Sequence, residues 1–140
     1  MSDVTVTAAD VRPLPGAIVR RYDAGDTVTP GQAVYLASDG DVEAADADAE
    51  ASARAIGIAV AGPDGKVSFA AGDRVDVVTH GPVAGFSSLT PGGLMYSSVT
   101  AGSLADAAAT ASNDYIWVIG YAEAATTVYV SPWTYDIAAI

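Results

Sequence analysis

The sequence predicts an all-β domain: a compact antiparallel β-sandwich or barrel of short strands, built from two similar halves and with little helix. Short segments rich in β-branched and aromatic residues recur at roughly ten-residue spacing, with Gly and Pro turn signals between them. Of the 140 residues, 51% are apolar, which is enough for one core of ordinary size. An internal repeat indicates the two halves.

Five segments have the strongest strand character, because they alternate apolar and polar residues or concentrate Val, Ile, Thr, Tyr and Trp. They are 4–6, 33–36, 74–79, 115–119 and 126–130. The turn pair Asp64-Gly65, followed by 66–69, predicts a hairpin. Two Ala- and Asp-rich segments, 44–55 and 105–112, lack an apolar stripe at helical spacing. We therefore expect loops there, with room for one short helical turn.

The repeat has an offset of roughly 60 residues, and its two copies fill most of the chain. Because a solenoid needs at least three repeats, we expect a duplicated β-unit within one domain. The segment 28–35 aligns with 89–96 through a shared Thr-Pro-Gly turn, and 56–59 aligns with 119–122 through a shared Ile-Gly pair. The predicted organisation is an N-terminal arm at 1–15 and a single β domain at 16–140. The repeated halves of that domain lie at about 24–82 and 86–132.

The charge balance excludes several classes of protein. Seventeen acidic residues, fourteen of them Asp, face six basic ones, for a net charge of −11. Such a surface repels phosphate backbones, so we expect no nucleic-acid binding. A dense acidic coat keeps a protein hydrated where salt screens charge over only about 3 Å, which indicates a halophilic source. No segment has the roughly 18 apolar residues of a membrane helix, and the start lacks the features of a signal peptide.

The sequence contains no recognisable catalytic motif. The nearest approach to a nucleophile elbow, 85–89, lacks its last glycine, and there is no phosphate-binding or dinucleotide-binding glycine loop. The single histidine, His80, has no candidate nucleophile to activate. With no cysteines, the chain has neither disulfides nor thiolate ligands. We therefore expect a protein that is not an enzyme and takes no cofactor.

Four aspartates are weak candidates for a cation site: Asp39, Asp41, Asp46 and Asp48. Their Asp-x-Asp spacing is that of a calcium loop, but such a loop also needs Gly at its sixth position and Glu at its twelfth. Counted from Asp46, those positions hold Ala51 and Gly57. The prediction is no specific metal site, only weak cation binding at high salt.

Both termini are apolar enough to make contacts. Residues 2–15 alternate Val and Thr before a Pro-rich stretch, and could add a strand to a neighbouring sheet edge. Residues 133–140 are unusually apolar for a free tail, so we expect them to dock on the body or on a partner. The alternative for both is that they are ordinary terminal strands of the same domain.

The order of several short motifs resembles that of the small capsid decoration (cement) proteins of tailed viruses, over about residues 16–131. These motifs are Ala24-Gly25-Asp26-x-Val28, Gly31-x-x-Val34-Tyr35-Leu36, Asp39-Gly40-Asp41-Val42, Ile56-Gly57-Ile58-Ala59, Ala71-Gly72-Asp73-x-Val75, Gly81-Pro82-Val83, Leu89-Thr90-Pro91-Gly92 and Ile119-Gly120-Tyr121-Ala122.

The resemblance implies a structural virion protein on the outer capsid surface. Such a protein is usually a homotrimer that stabilises the shell by cementing neighbouring subunits of the major capsid protein. Carried onto this chain, the arm would contact the shell, through Val4, Val6, Val11, Leu14 and Pro15. With the acidic coat, the source would be a virus of a halophilic archaeon. The acids would then crowd loops such as 39–50, and the shell-facing side would be nearly uncharged.

Two other functions stay open at this point. One is another virion component, such as a tail, fibre or turret protein. The other is a cellular β binding module of a halophile.

Overall fold

Antiparallel strands are the main regular element of the computed structural model, which describes residues 3–62 and 64–133 and the backbone of 138–139. Strands account for 45% of the chain and helix for 5%, which confirms the predicted all-β class. The first part contains β1 (Thr5–Val6), β2 (Arg12–Pro13), β3 (Ile18–Asp23), β4 (Ala33–Leu36), β5 (Val42–Ala44), β6 (Ala55–Ala59) and β7 (Arg74–Ala84). The second contains β8 (Phe86–Ser87), β9 (Leu94–Ser97), β10 (Leu104–Ala105), β11 (Tyr115–Ile116), β12 (Val118–Ala124), β13 (Thr127–Val130) and β14 (Ala138–Ala139). A 3-10 turn at Ala8–Asp10 and the one-turn helix α1 (Glu50–Ala53) complete the elements of the described chain.

The long strand β7 joins the two halves of one curled sheet. The strand order is β10-β9-β12-β13-β7-β6-β4-β5, and the sheets form a half-barrel. Residues 77–78 of β7 pair with β6, whereas 81–84 pair with β13. β3 pairs with the first part of β7 and β2 with its end. Between the two parts, Gly81 has a left-handed backbone (φ +108), and a side chain there would strike Ala17.

The two halves have the same local hydrogen bonding. The Gly31 N–H donates to the Ala59 carbonyl at 2.8 Å, and the Gly92 N–H donates to the Ala122 carbonyl at 2.8 Å. In return, the Ala59 and Ala122 N–H groups donate to the carbonyls of residues 32 and 93. From edge to centre, the orders β5-β4-β6-β7 and β10-β9-β12-β13 therefore correspond strand by strand.

The shared Ile-Gly pair has a packing reason. A Cβ atom on Gly57 would collide with the carbonyl oxygen of Val78 on the next strand. A Cβ atom on Gly120 would collide in the same way with the carbonyl oxygen of Tyr129. Each half thus needs glycine where its inner strand approaches a neighbouring backbone closely.

Two clusters of buried apolar side chains hold the sheet. The larger core combines residues of both halves with part of the N-terminal segment, and includes Val11, Ala33, Ile58, Val78, Val83, Phe86, Met95, Ile119, Ala122 and Val128. The smaller core lies within the first half, where Val28 and Phe69 pack with Val34, Val42, Ala59, Val75 and Val77. The part of the first-half sheet formed by β4, β6 and β7 is therefore buried on both faces, whereas β3 is largely exposed.

Several local predictions are wrong. The turn at 62–66 closes, with the Gly62 N–H donating to the Lys66 carbonyl at 3.0 Å, but no hairpin follows. Phe69 instead forms a bridge with Val28. The predicted strand at 115–119 is interrupted at Trp117, whose indole N–H donates to the Ala55 carbonyl at 3.0 Å.

The segment 1–15 is not a free arm over the residues that the structure describes, 3–15. β1 pairs with β8, and β2 pairs with β7. The Val4 N–H donates to the Leu104 carbonyl at 2.8 Å, and Val11 lies fully buried in the larger core. The apolar character that suggested an external contact is used within the domain.

Replacing Gly57 or Gly120 by alanine should destabilise the fold by about 3 kcal/mol, because the added methyl group forces two strands apart. Chemical denaturation would measure the loss of unfolding free energy. Gly72→Ala is the matched control, since Gly72 has a positive φ (+90) but open space around its Cβ position. It should cost only about 1 kcal/mol from backbone strain. Equal losses for Gly57→Ala and Gly72→Ala would contradict the close approach.

Candidate functional site

A groove of about 610 Å³ opens beside β3 and has two tryptophans in its lining. We call it the tryptophan groove. Alternate residues of β3 line one side, and the stretch around the start of β6 lines the other. Its lining residues are Ile18, Arg20, Tyr22, Arg54, Ala55, Ile56, Thr79, His80, Trp117, Pro132 and Trp133.

The two tryptophans are held in place by backbone hydrogen bonds. Trp117 is buried and anchored through its indole N–H to Ala55. The Trp133 N–H donates to the Val118 carbonyl at 3.0 Å, which fixes the chain after β13. The rings meet edge to face, with centroids 5.9 Å apart and planes at 69°. The two rings thus give the groove an aromatic surface of the kind that concentrates binding energy at interfaces.

β3 presents an open edge. Among the described residues it pairs only with β7, so its outer row of backbone groups is available for pairing. Ile18 is 55% exposed, and Val19 beside it is also exposed. An extended segment of a partner could add to this edge while its side chains enter the groove.

The two faces of β3 differ in charge pairing. On one face, Arg21 contacts Asp76 at 2.9 Å and Asp23 contacts Arg74 at 3.4 Å. The hydrogen bond and the charge of Asp76 raise the pKa of Arg21. On the groove face, Arg20 has no ion pair within the described part of the chain. Ion pairs therefore tie one face of β3 to β7 and leave the groove face free.

The groove is lined by basic side chains, whereas the protein as a whole is strongly acidic. Arg20, Arg54 and His80 line it, and none of its described lining residues is Asp or Glu. Arg54 forms an exposed ion pair with Glu50 at 3.1 Å, one helical turn away. On a chain of net charge −11, this is a site where an acidic or neutral apolar segment can approach without repulsion.

The side chains of the groove are suited to binding. His80 is exposed, and no carboxylate lies among the described lining residues to orient it as a base. The Thr79 hydroxyl is 3.5 Å from the Ile18 carbonyl, to which it donates. A ligand in the groove can contact apolar side chains, guanidinium groups and the open edge of β3.

The residues predicted for shell contact do not form one exposed surface. Val11 is a correction: its side chain is inaccessible in the larger core and cannot contact a partner. Val4 is half-buried against the same core. Leu14 is half-buried, and its N–H donates to the Pro82 carbonyl at 2.9 Å. Val6 and Pro15 are exposed.

Sequence reasoning missed the groove because its walls come from five separate segments, 18–22, 54–56, 79–80, 117 and 132–133. Ile18, Arg54, Thr79 and Trp133 meet only through the pairing of β3, β6 and β7. One signal was available, the apolar segment that begins at Trp133. The rest of that tail, apart from the backbone of 138–139, lies outside the described residues.

The four candidate aspartates form two turns, in which the first carboxylate accepts the backbone N–H of the second residue. Asp39 accepts the Asp41 N–H at 3.0 Å, and Asp46 accepts the Asp48 N–H at 3.1 Å. No three His, Cys, Asp or Glu side chains in the described chain are grouped to hold a metal ion. Burial raises the pKa of Asp46, and the charges of Asp48 and Asp114 add to the rise.

None of the described helices is long and apolar enough to cross a membrane. No protein family model and no curated protein matches the chain.

Asp46→Asn should raise stability slightly at neutral pH, by about 0.5 kcal/mol or less. Because the folded-state pKa of Asp46 is raised, its contribution to stability falls as pH rises from the ordinary Asp pKa through the raised value. Asparagine keeps an oxygen for the Asp48 N–H and removes that loss. Denaturation between acidic and neutral pH would measure the difference.

The matched control for Asp46 is Asp39→Asn, which makes the same change in a similar but exposed turn. It also removes one negative charge. An equal gain from Asp39→Asn would show that net charge, and not the burial of Asp46, causes the effect.

Proposed function

We propose that the protein is a capsid decoration protein of a tailed virus, from a halophilic archaeal host. It binds the outside of an assembled shell as a homotrimer and cements neighbouring subunits of the major capsid protein. The single observation that carries the proposal is the tryptophan groove with its open strand edge, an apolar and acid-free surface on a chain of net charge −11. The order of motifs that resembles this family supports it independently.

The groove has the composition of an interface centre. Trp and Arg are the side chains most enriched where binding energy concentrates, and the groove holds two of each. The Trp117 ring is already anchored to the Ala55 carbonyl and the Trp133 ring packs against it, so little ordering entropy is lost on binding. We therefore assign the shell contact to the groove and β3, and not to the buried Val11.

Salt sets which contacts can contribute. At about 1 M salt, charge is screened over only about 3 Å, so isolated surface ion pairs add little to binding. Apolar burial and backbone pairing keep their strength under those conditions. Ile18, Trp133 and the free edge of β3 supply both kinds of contact in one place.

The mechanism follows from preferential binding. A protein that binds an assembled shell but not free subunits stabilises the assembly by mass action. A homotrimer that spans several subunits gains further from multivalency, since its second and third contacts are intramolecular. A cyclic trimer also matches the three-fold symmetry of the positions it would occupy.

Copy number in purified particles tests the function itself. A decoration protein should be roughly equimolar with the major capsid protein and should remain on heads separated from tails. Quantitative mass spectrometry of purified heads and tails would measure both properties. A few copies per particle, or recovery with tails or spikes, would indicate a fibre, turret or tail protein instead.

Ile18→Glu should weaken shell binding at least tenfold, which corresponds to about 1.4 kcal/mol. The variant replaces an apolar side chain of the groove and the strand edge by a carboxylate, which removes apolar contact and repels an acidic partner. Because Ile18 is 55% exposed, the change should leave the fold intact. Co-sedimentation with undecorated shells at high salt would give the apparent affinity.

Val67→Glu is the control for Ile18→Glu. Val67 is 41% exposed and does not line the groove, so its variant adds the same charge at an apolar position outside the groove. It should bind shells like the wild type. If both variants bind equally well, the shell contact lies elsewhere on the protein.

A further inference from the structure

Corresponding rows of side chains in the two halves have opposite burial. In the first half, Ala33, Ile58 and Val78 lie directly opposite one another across β4, β6 and β7. All three are fully buried. Their counterparts in the second half are Leu94, Tyr121 and Tyr129, which lie opposite one another across β9, β12 and β13. We call these three the Leu94 row.

The Leu94 row faces solvent. Leu94 is 46% exposed and Tyr121 is 39% exposed, while Tyr129 is partly exposed. Directly opposed residues of an antiparallel sheet point to the same face, so the three form one continuous apolar surface. The rings of Tyr121 and Tyr129 stack with centroids 5.3 Å apart and planes at 17°, which makes the surface rigid.

The core explains why this row is left over. The buried row of the first half belongs to the larger core. The second half contributes its opposite face to that core, through Met95, Ala122 and Val128. The two halves therefore pack head to tail, with unlike faces in contact. This leaves one free face on each half.

Only one of those free faces is closed within the chain. On the first half, Val34, Ala59 and Val77 are covered in the smaller core, to which Val28 and Phe69 belong. On the second half, the Leu94 row has no such cover among the described residues. The row is thus an apolar sheet face that the described part of the chain leaves uncovered.

Charge favours a copy of the same chain on this row. Residues 77–140 contain no Lys or Arg and only four of the 17 acidic residues. Two molecules of net charge −11 repel each other, and an interface of low charge density minimises that repulsion. A strongly cationic partner would instead find its charges matched at the acidic loops of the first half.

We infer that the Leu94 row is the face through which the protein associates with a second copy of itself. The inference deepens the proposed homotrimer by assigning it a contact surface, and to that extent it rests on the proposed function. The row is separate from the tryptophan groove in its residues, so self-association and shell binding use different surfaces.

Leu94→Glu tests the inference, with Leu36→Glu as its matched control. Leu36 is also a strand leucine and is 47% exposed, but it lies on β4 outside the row. Sedimentation velocity of the full chain at high salt would give the oligomeric state, and circular dichroism would check the fold. The wild type and Leu36→Glu should both be oligomers. Leu94→Glu should associate at least tenfold more weakly and approach the 14.0 kDa monomer.

Tyr121→Thr provides a second route if Leu94→Glu does not fold, because threonine keeps strand propensity while removing the ring. It should also weaken association. A monomeric wild type, or folded row variants that associate as tightly as the wild type, would overturn the inference. Shell co-sedimentation separates the two proposals: a wild type that oligomerises through the row but binds no shells contradicts the proposed function alone. Shell binding by a protein whose oligomer ignores the row contradicts the inference alone.

Discussion

The architecture depends on a single strand, β7, that has different partners along its length. Its first part pairs with β6 and β3, and its last four residues pair with β13 and β2. The change of partner occurs around Gly81, whose left-handed backbone and missing side chain let Ala17 approach closely. In the first part of β7, consecutive side chains pack into different cores: Val77 into the smaller and Val78 into the larger. The groove beside β3, the docking of β2 and the union of the halves all follow from this strand, because each needs β7 to be paired on both sides.

The same repeated unit has acquired two different environments. Gly57 and Gly120 each lie too close to a carbonyl oxygen of the next strand to carry a side chain. The Thr-Pro-Gly turns of the two halves also make the same hydrogen bonds. Backbone requirements are thus alike in both halves, while the side chains of corresponding rows differ. Ala33 and Ile58 are in a core, whereas Leu94 and Tyr121 are at the surface. The sequence similarity between the halves therefore reflects their shared backbone geometry. The burial of corresponding side chains differs because the two halves have different neighbours.

The fold class and the repeat could be predicted because they depend on local patterns: turn glycines, short β-rich segments and two aligned Thr-Pro-Gly motifs. β4 was predicted at its observed bounds, 33–36, because its turns mark both ends. The groove could not be predicted, since Ile18, Arg54 and Trp133 come together only through non-local pairing. The prediction of a free N-terminal arm was wrong for a related reason. An alternating Val and Thr segment has the same appearance whether it pairs with its own sheet or with another molecule, and Val11 shows that here the pairing is internal.

Electrostatic repulsion limits which surfaces of this protein can bind another acidic macromolecule. With a net charge of −11, any contact between acidic macromolecules must use the parts of the surface that lack carboxylates. The tryptophan groove is one such part, since its described lining has none. The Leu94 row itself is also uncharged, although β12 carries Glu123 two residues beyond Tyr121. High salt weakens the repulsion but also weakens ion pairs, so the attraction itself must come from apolar and backbone groups. The groove offers Trp rings and an open strand edge, and the row offers stacked tyrosines. In the proposed function, the acidic coat therefore has a role beyond hydration, because repulsion elsewhere on the surface would direct association to these two surfaces.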